Sequence, residues 1–342
     1  MKFGFDIVGD RPLAELRQWW RACDAGGMDV IGVPDSPIVA RELYVTATHC
    51  LDITENAEVM TAVSNPISRD ISVTGASLAT LAELAPGRVK YGIGSGDSAL
   101  WGVGLKPARV AVLREYIVAL KAFLRGEEAE FDGRRFASAW ATEPVDVPIY
   151  VAASGPKTLA MAAQVADGLI LAMGFGPDNL AYVKEIVKEA CAEVGRDPDE
   201  LDIWGHCSLG FAETAEDGMA RNLGVNPGWM AMGSMEGKQI PDEFREPLRR
   251  LTSDFGDVEA EYTTQHRGAR LVEKAKALGI YEWLASRAPG LWGPPEHVAS
   301  RLAEFDRNGL SNWIFYGGGS DYDRGEWIDT FTSEVIPRTV SR

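Results

Sequence analysis

"RVKYGIGSGDSAL", residues 88–100, starts as an apolar strand, drops to glycine at every other position and ends on an acid before a small apolar run. Three arrangements use such letters, and each brings its own fold. They are the phosphate loop of a dinucleotide-binding open sheet, the nucleophile turn of a hydrolase, and the end of a barrel strand against which a flat ring lies. The first needs G-x-G-x-x-G opening a helix, but after Gly92 and Gly94 the third glycine's place holds Asp97. The second would make Ser98 a nucleophile, which needs a histidine base held by a third group. Of the four histidines, His297 follows Pro294-Pro295-Glu296 and His266 follows Thr263-Thr264-Gln265, so neither completes that arrangement. The third uses the glycines themselves: small residues let a broad planar ligand approach the backbone, whose N–H groups then bond its edge. Gly94, Ser95 and Gly96 would do this, with Asp97 projecting over the mouth.

Outward from this stretch, short β-branched runs alternate with longer segments of helical period. Candidate strands are 2–8, 30–36, 58–65, 88–96, 148–154, 168–174, 201–211 and 313–317, eight in all. The clearest helix spans 107–125, where Val110, Leu113, Ile117, Leu120 and Leu124 repeat at spacings of three and four, with Pro107 at its start and Gly126 after its end. Leu180, Val183, Val187, Ala190 and Val194 mark another over 178–194. Eight β units separated by helices imply parallel strands with right-handed crossovers, and eight is the number that closes into a (β/α)8 TIM barrel of the α/β class. A doubly wound open sheet is the rival. One interval is too long for a single helix: residues 212–268, containing the Gly-, Met- and Pro-rich "NPGWMAMGSMEGKQIPDEF" (226–244). After strand seven of a barrel, such an excess is expected as an insertion on the catalytic rim; a peripheral helical excursion is the alternative.

Strand five ends in "AASGP" (152–156). Ala152 and Ala153 add little bulk, and Ser154, Gly155 and a helix opened by Pro156 offer N–H donors and a favourable dipole to an anion. Together with the glycines of strand four, this points to a phosphorylated planar cofactor such as a flavin or deazaflavin.

Bulk properties narrow the partners. With 50 Asp+Glu against 34 Lys+Arg the net charge is −16, which repels nucleic acid and anionic bilayers. The densest basic pieces, Arg134–Arg135 and Arg245 with Arg249–Arg250, are short and sit among acids. Cys23, Cys50, Cys191 and Cys207 lie far apart without C-x-x-C spacing, so no zinc knuckle or small disulfide scaffold is indicated. The start lacks a secretory apolar core, and the longest apolar stretch, around 168–176, falls short of the roughly 18–20 residues of a membrane helix. A cytoplasmic protein is expected.

These motifs resemble the luciferase-like superfamily of flavin and deazaflavin barrels. The branch they are most similar to depends on coenzyme F420 and includes methylene-tetrahydromethanopterin reductases and F420-dependent glucose-6-phosphate dehydrogenases. The resemblance rests on "GVPDS" (32–36), "MTAVSNP" (60–66), "RVKYGIGSGDSA" (88–99) and "PIYVAASGPKTLAMAAQVADGLI" (148–170). It implies that Asp35 lies beside the deazaflavin ring. The next position, a histidine in the glucose-6-phosphate enzymes, is here Ser36, which argues against the same substrate. It implies a non-prolyl cis peptide near Ala62–Val63, with Asn65 at the pyrimidine edge. Ser95, Gly96 and Asp97 line the cofactor, Asp97 being the candidate proton donor, and Ala152, Ala153, Ser154 and Gly155 take the phosphate side.

Each has a plainer reading. Asp35 and Asn65 are natural turn residues, Asp97 and Ser98 natural helix caps, and His206 on strand seven, a further proton-transfer candidate, an ordinary core histidine. Trp101, Trp140 and Trp229, with Met230 and Met232, form either a substrate wall or packing. The expectation is an F420-dependent oxidoreductase moving a hydride to or from an organic substrate, without a metal and, by resemblance, as a homodimer. The apolar insertion suggests a substrate less polar than a sugar phosphate. An FMN-dependent luciferase-like monooxygenase using reduced flavin and O2, and a catalytically silent flavin-binding barrel, are the alternatives; the retained polar positions argue for an enzyme.

Overall fold

In the computed structural model, which describes residues 1–221, 228–231, 234–253, 267–287, 291–317 and 323–339, eight parallel strands close on themselves. They are β1 (Lys2–Asp6), β2 (Val30–Val33), β3 (Glu58–Thr61), β4 (Val89–Ile93), β5 (Ile149–Ala153), β6 (Gly168–Leu171), β7 (Asp202–Ser208) and β8 (Asn312–Tyr316). Neighbours in sequence are neighbours in the barrel, and β8 returns to β1 with Lys2 opposite Asn312 and Asp6 opposite Tyr316. The closed ring is the expected barrel and rules out the open sheet.

The ladders stop before the apolar runs do. β2 ends at Val33 because Pro34 has no N–H to donate. β3 ends at Thr61 and β4 at Ile93, so Asp35, Asn65 and Gly94–Asp97 all fall in the loops of the C-terminal rim rather than within strands. Beyond β7, Gly210–Phe211 leaves the barrel and pairs with Trp292–Gly293.

Alternation along the strands sorts the side chains into two cores. Outward residues such as Phe3, Phe5, Tyr91, Leu169, Trp313 and Phe315 pack under the helices. Inward residues Val30, Met60, Tyr150, Ile170, Trp204 and Ile314 fill the barrel. At its N-terminal end, the Lys90 ammonium donates to Tyr150 Oη at 2.9 Å and pairs with Glu58 at 3.3 Å; Asp202 accepts from Tyr150, Trp204 and Asn312 at 2.7–2.9 Å. Every member has a partner, as a buried polar group requires.

The helices are α1 (Leu13–Ala25), α2 (Leu43–Ile53), α3 (Ile71–Leu84), α4 (Val110–Leu124), α5 (Pro156–Val165), α6 (Pro177–Glu193), α7 (Pro295–Arg307) and α8 (Arg324–Thr330). α4 begins at Val110 rather than at Pro107, with Arg109 at its N-cap, and buries the expected Leu113, Ile117, Leu120 and Leu124. Pro156 and Pro177 open α5 and α6. Among the described residues, no helix is long and apolar enough to cross a membrane.

α3 is capped by Asp70, whose Oδ1 accepts from the Ser72 amide and hydroxyl. Its Oδ2 takes Arg134 from the hairpin Ala129–Phe131/Arg134–Phe136. The Ser72 hydroxyl, then Arg134 and the Ser72 amide, hold this carboxyl down at about 2. A depressed carboxylate stabilises the fold above its unfolded value of about 3.9 and loses that contribution as pH falls through about 2. Asp70→Ala should therefore cost about 1 kcal/mol at neutral pH. In thermal melts, its deficit against wild type should shrink between about pH 4 and pH 2; a constant deficit would show that Asp70 acts without its charge.

Between β7 and α7 the chain builds the helices Ala215–Arg221, Gly228–Ala231, Asp242–Thr252, Arg267–Ala277 and Tyr281–Arg287. Met230, Met235, Ile240, Leu248, Leu251, Leu271 and Leu284 give this excursion an apolar cluster separate from the main core. Its turn at 234–240 reaches the first turns of α5 and α6, where a Gly237 Cβ would meet Pro156 at 2.6 Å and Asn179 Nδ2 donates to Gln239 Oε1 at 2.5 Å. Residues 222–227, 232–233 and 254–266, including Met232 and His266, lie outside the described residues, as does the Trp229 side chain.

Candidate active site

At the rim of β2, β3 and β4 the chain replaces side chains with backbone. The Ala62–Val63 peptide is cis, where it is expected. The turn is held by Thr61 Oγ1 donating to Gly92 O at 2.6 Å, Ser64 N to Gly92 O at 2.9 Å and Gly94 N to Ser64 O at 2.9 Å. A Cβ added at Gly94 would stand 3.3 Å from Val63 Cγ2 and 3.5 Å from Ala152 Cβ. Val63, Gly94 and Ala152 thus form one low wall across the rims of β3, β4 and β5, with Ala62 on its β2 side, 3.1 Å from where a Gly32 Cβ would be. Gly96 has φ +96°, a conformation that side chains disfavour, and a Cβ there would strike Leu100 Cδ1 at 2.4 Å.

Asp35 is buried beside this wall, and both of its oxygens are engaged. Arg69 Nε donates to Oδ2 at 2.7 Å and Nη2 to Oδ1 at 2.8 Å, while Ser64 Oγ donates to Oδ2 at 2.7 Å. Arg69 also pairs with Glu42 and lies over the Tyr44 ring. Asp35 therefore anchors the turn that follows the cis peptide. Ser36 Oγ lies 2.6 Å from Ser98 Oγ, which donates to Asp97 Oδ1 at 3.0 Å; the Ser98 amide donates to the same oxygen. Two hydroxyls so join the loops carrying Asp35 and Asp97. Asp97 is exposed and caps the short helix Ser98–Trp101, combining the capping position with a place at the mouth. Asn65 is buried, its carbonyl accepting from the amides of Ile67 and Ser68 and its Nδ2 donating to Ser68 Oγ, so its amide is used within its own turn.

On the β5 side, Ala152, Ala153, Ser154 and Gly155 lead into α5 with Gly155 at the N-cap. The Lys238 Cε lies 3.7 Å from where a Gly155 Cβ would be. Lys238 is buried, and burial pushes its ammonium below its ordinary value. Arg287 is equally buried and donates to the carbonyls of Gln239 and Lys238 at 2.7 and 2.5 Å; burial pushes it down to about 10. The excursion is therefore not purely apolar where it meets the rim. Lys238 stands in the quoted "MEGKQ", but only the chain path brings it beside "AASGP".

The inner face of the barrel mouth carries three further polar residues. His206 Nε2 lies 3.6 Å from Asp6 Oδ2, and the His206 ring stacks at a tilt on Tyr316, centroids 4.7 Å apart. Asp6 and Tyr316 escape sequence reasoning, although each is the last residue of its strand.

The aromatic wall assembles only in part. Trp101 is half-buried at the rim after β4, and Met230 lies in the excursion's own cluster. Trp140, 54% exposed, precedes β5 on the segment that enters the barrel from its N-terminal end, so it does not join a wall at the mouth.

A family model described as luciferase-like monooxygenase matches residues 1–312. A 5,10-methylenetetrahydromethanopterin reductase of Archaeoglobus fulgidus is 27% identical over 99% of both chains. An F420-dependent glucose-6-phosphate dehydrogenase of Nocardia farcinica is 33% identical over 83% of this chain and 80% of its own. Among solved structures, the coenzyme F420-dependent tetrahydromethanopterin reductase of Methanopyrus kandleri has the same fold, with TM-score 0.74, 19% identity and 99% of each chain covered.

Proposed function

The chain belongs to the luciferase-like monooxygenase family, and from that premise we propose that it is an oxidoreductase dependent on coenzyme F420, acting on a small organic substrate. When bound, the deazaflavin supplies a carbon, C5, that accepts or releases a hydride. The observation that carries the reading is the low wall of Val63, Gly94 and Ala152, shaped for the face of a flat ring and continuous with a strand-to-helix turn suited to a phosphate. The relatives named for methylenetetrahydromethanopterin, matched over 99% of both chains, and for F420, matched over 80% of its length, favour the deazaflavin over FMN.

In this reading the amides of Ser95 and Gly96 face the ring edge, and the Ala62–Val63 turn, anchored through Ser64 by Asp35 and Arg69, sets its depth. Asn65 fixes the end of that turn beside Gly96. Ala152, Ala153, Ser154, Gly155 and the α5 N-terminus take the phosphate, with Lys238 adding positive charge. Asp97, accepting from Ser98 and joined through it to Ser36, places its carboxyl at the mouth. The excursion's described turn at 234–240 and the helices packed on it wall the substrate's side. The same reading makes the protein a homodimer: Ile38, Val45, Ile67 and Val73 are exposed apolar residues at the starts of the neighbouring α2 and α3 and the turns before them, a surface a second copy would cover.

The test is a titration with oxidised F420 and, separately, with FMN, followed by tryptophan fluorescence. Saturable F420 binding at micromolar concentration or tighter with negligible FMN binding is expected on the order of typical cofactor affinities. The reverse preference would sink the F420 reading in favour of a flavin monooxygenase.

A further inference from the structure

We propose that His206, supported by Asp6, exchanges the proton on the substrate's oxygen, so that the substrate is an alcohol or the matching aldehyde or ketone. This rests on the hydride-transfer reading above and assigns the proton that such a transfer leaves to be placed.

The strand register puts the pair where a substrate must pass. Asp6 is opposite Tyr316, and His206 is opposite Ile314 and two residues beyond Trp204 on β7. Since alternate residues share a face, Asp6, His206 and Tyr316 stand on the inner face directly above the Trp204–Ile314 layer that fills the barrel. Asp6 Oδ1 and His206 Nε2 are both sealed from solvent and both lack a hydrogen-bond partner within the protein. At 3.6 Å from Asp6 Oδ2, Nε2 is beyond hydrogen-bond distance but still beside the carboxylate, which fixes the side of the ring that faces inward. Nε2 faces Asp6 and is closed to any ligand, but the His206 side chain is 25% exposed and its Nδ1, which is neither sealed nor hydrogen-bonded, is the nitrogen a substrate oxygen can reach.

The titratable surroundings are few. β8 contributes Tyr316, whose phenol burial pushes above its ordinary range, leaving it a hydrogen donor. β1 contributes Asp6 at this end and Lys2 at the other, β6 carries no titratable residue, and Cys207, the neighbour on β7, points into the outer core. In oxidation, the carbinol C–H bond breaks with its electron pair leaving as hydride to the oxidised cofactor. The O–H bond breaks, its pair forms the C=O bond, and the proton moves to Nδ1 of His206, while Asp6 faces Nε2 on the other side of the ring. Reduction runs the same steps backwards. His206 is the catalytic residue; Asp6 is a positioning residue.

The test has two arms. In the cofactor-free protein, cyclohexanol and cyclohexanone are titrated while the imidazole resonances are followed by NMR. Saturable shifts confined to His206 are expected, and they should weaken at least tenfold in Asp6→Asn and persist in Asp6→Glu. Absence of any His206 shift overturns the proposal. In the second arm, oxidised F420 is offered a panel of primary and secondary alcohols. Turnover of at least one is expected, falling about 100-fold or more in His206→Gln with F420 affinity unchanged. In Asp6→Asn kcat should fall at least tenfold with KM and F420 affinity unchanged and be restored in Asp6→Glu, which a purely structural role would not do. An unchanged kcat, or no turnover across the panel, overturns the assignment. Failure of the wild type to bind F420 would instead overturn the cofactor reading and leave the first arm to decide the pair.

Discussion

Replacing Arg69 with methionine is expected to lower stability by about 3–5 kcal/mol, because it strands a buried carboxylate without its cation. The Asp35 side chain is 1% exposed and that of Arg69 14%, so water does little of the screening that makes surface pairs weak. Two parallel N–H···O bonds of 2.7 and 2.8 Å make the pair bidentate, the stronger geometry for such contacts. Urea unfolding of Arg69→Met measures the cost, and a loss below about 1 kcal/mol would place the pair among solvated ones. The double variant Asp35→Leu/Arg69→Met separates structure from function. Removing both charges should recover most of the stability, since apolar replacement of a buried pair is often neutral, yet F420 binding should remain impaired because Ser64 has lost its anchor.

Gly94→Val should do the opposite, leaving the fold intact and removing the cofactor. The first added carbon meets neighbours at 3.3 and 3.5 Å, contacts that a small shift of Val63 or Ala152 accommodates. The two methyls beyond it then occupy the space a planar ring needs, so affinity for F420 should fall at least 100-fold, about 2.7 kcal/mol. Isothermal titration and a melting curve on the same sample check both halves. Full-strength binding by Gly94→Val would show that the ring does not lie on this wall. Gly92 provides the contrast two residues earlier: a Cβ there would sit 2.2 Å from the Thr61 carbonyl oxygen, a collision with backbone.

What the sequence discloses and what it hides divide along physical lines. The barrel is legible because eight β-branched runs and helical periods are local signals, and the rim motifs because glycine and alanine announce the absence of a side chain. The strand ends are not, since "VPDS" and "TAVSN" read as extended chain until the ladder shows that Pro34 cannot donate and that Thr61 bonds across to Gly92. The partners of the polar residues are hidden for another reason. Arg69 meets Asp35 across 34 positions, and His206 meets Asp6 across 200. Nothing in the composition around either residue encodes that meeting; only closure of β8 onto β1 brings Asp6, His206 and Tyr316 to one place. Parity alone could have flagged Asp6 and Tyr316, polar residues on the inner side of otherwise apolar strands.

The filled lower barrel has a kinetic meaning. Val30, Met60, Tyr150, Ile170, Trp204 and Ile314 occupy the interior, with the Lys90–Tyr150–Asp202 network beneath them, so among the described residues the barrel is filled below the rim wall and a ligand on that wall is approached from the C-terminal side. Two ligands stacked in a blind pocket cannot trade places: the one that lies against the rim wall must arrive first and leave last. With the cofactor on that wall, as proposed above, it would bind before the substrate and leave after it.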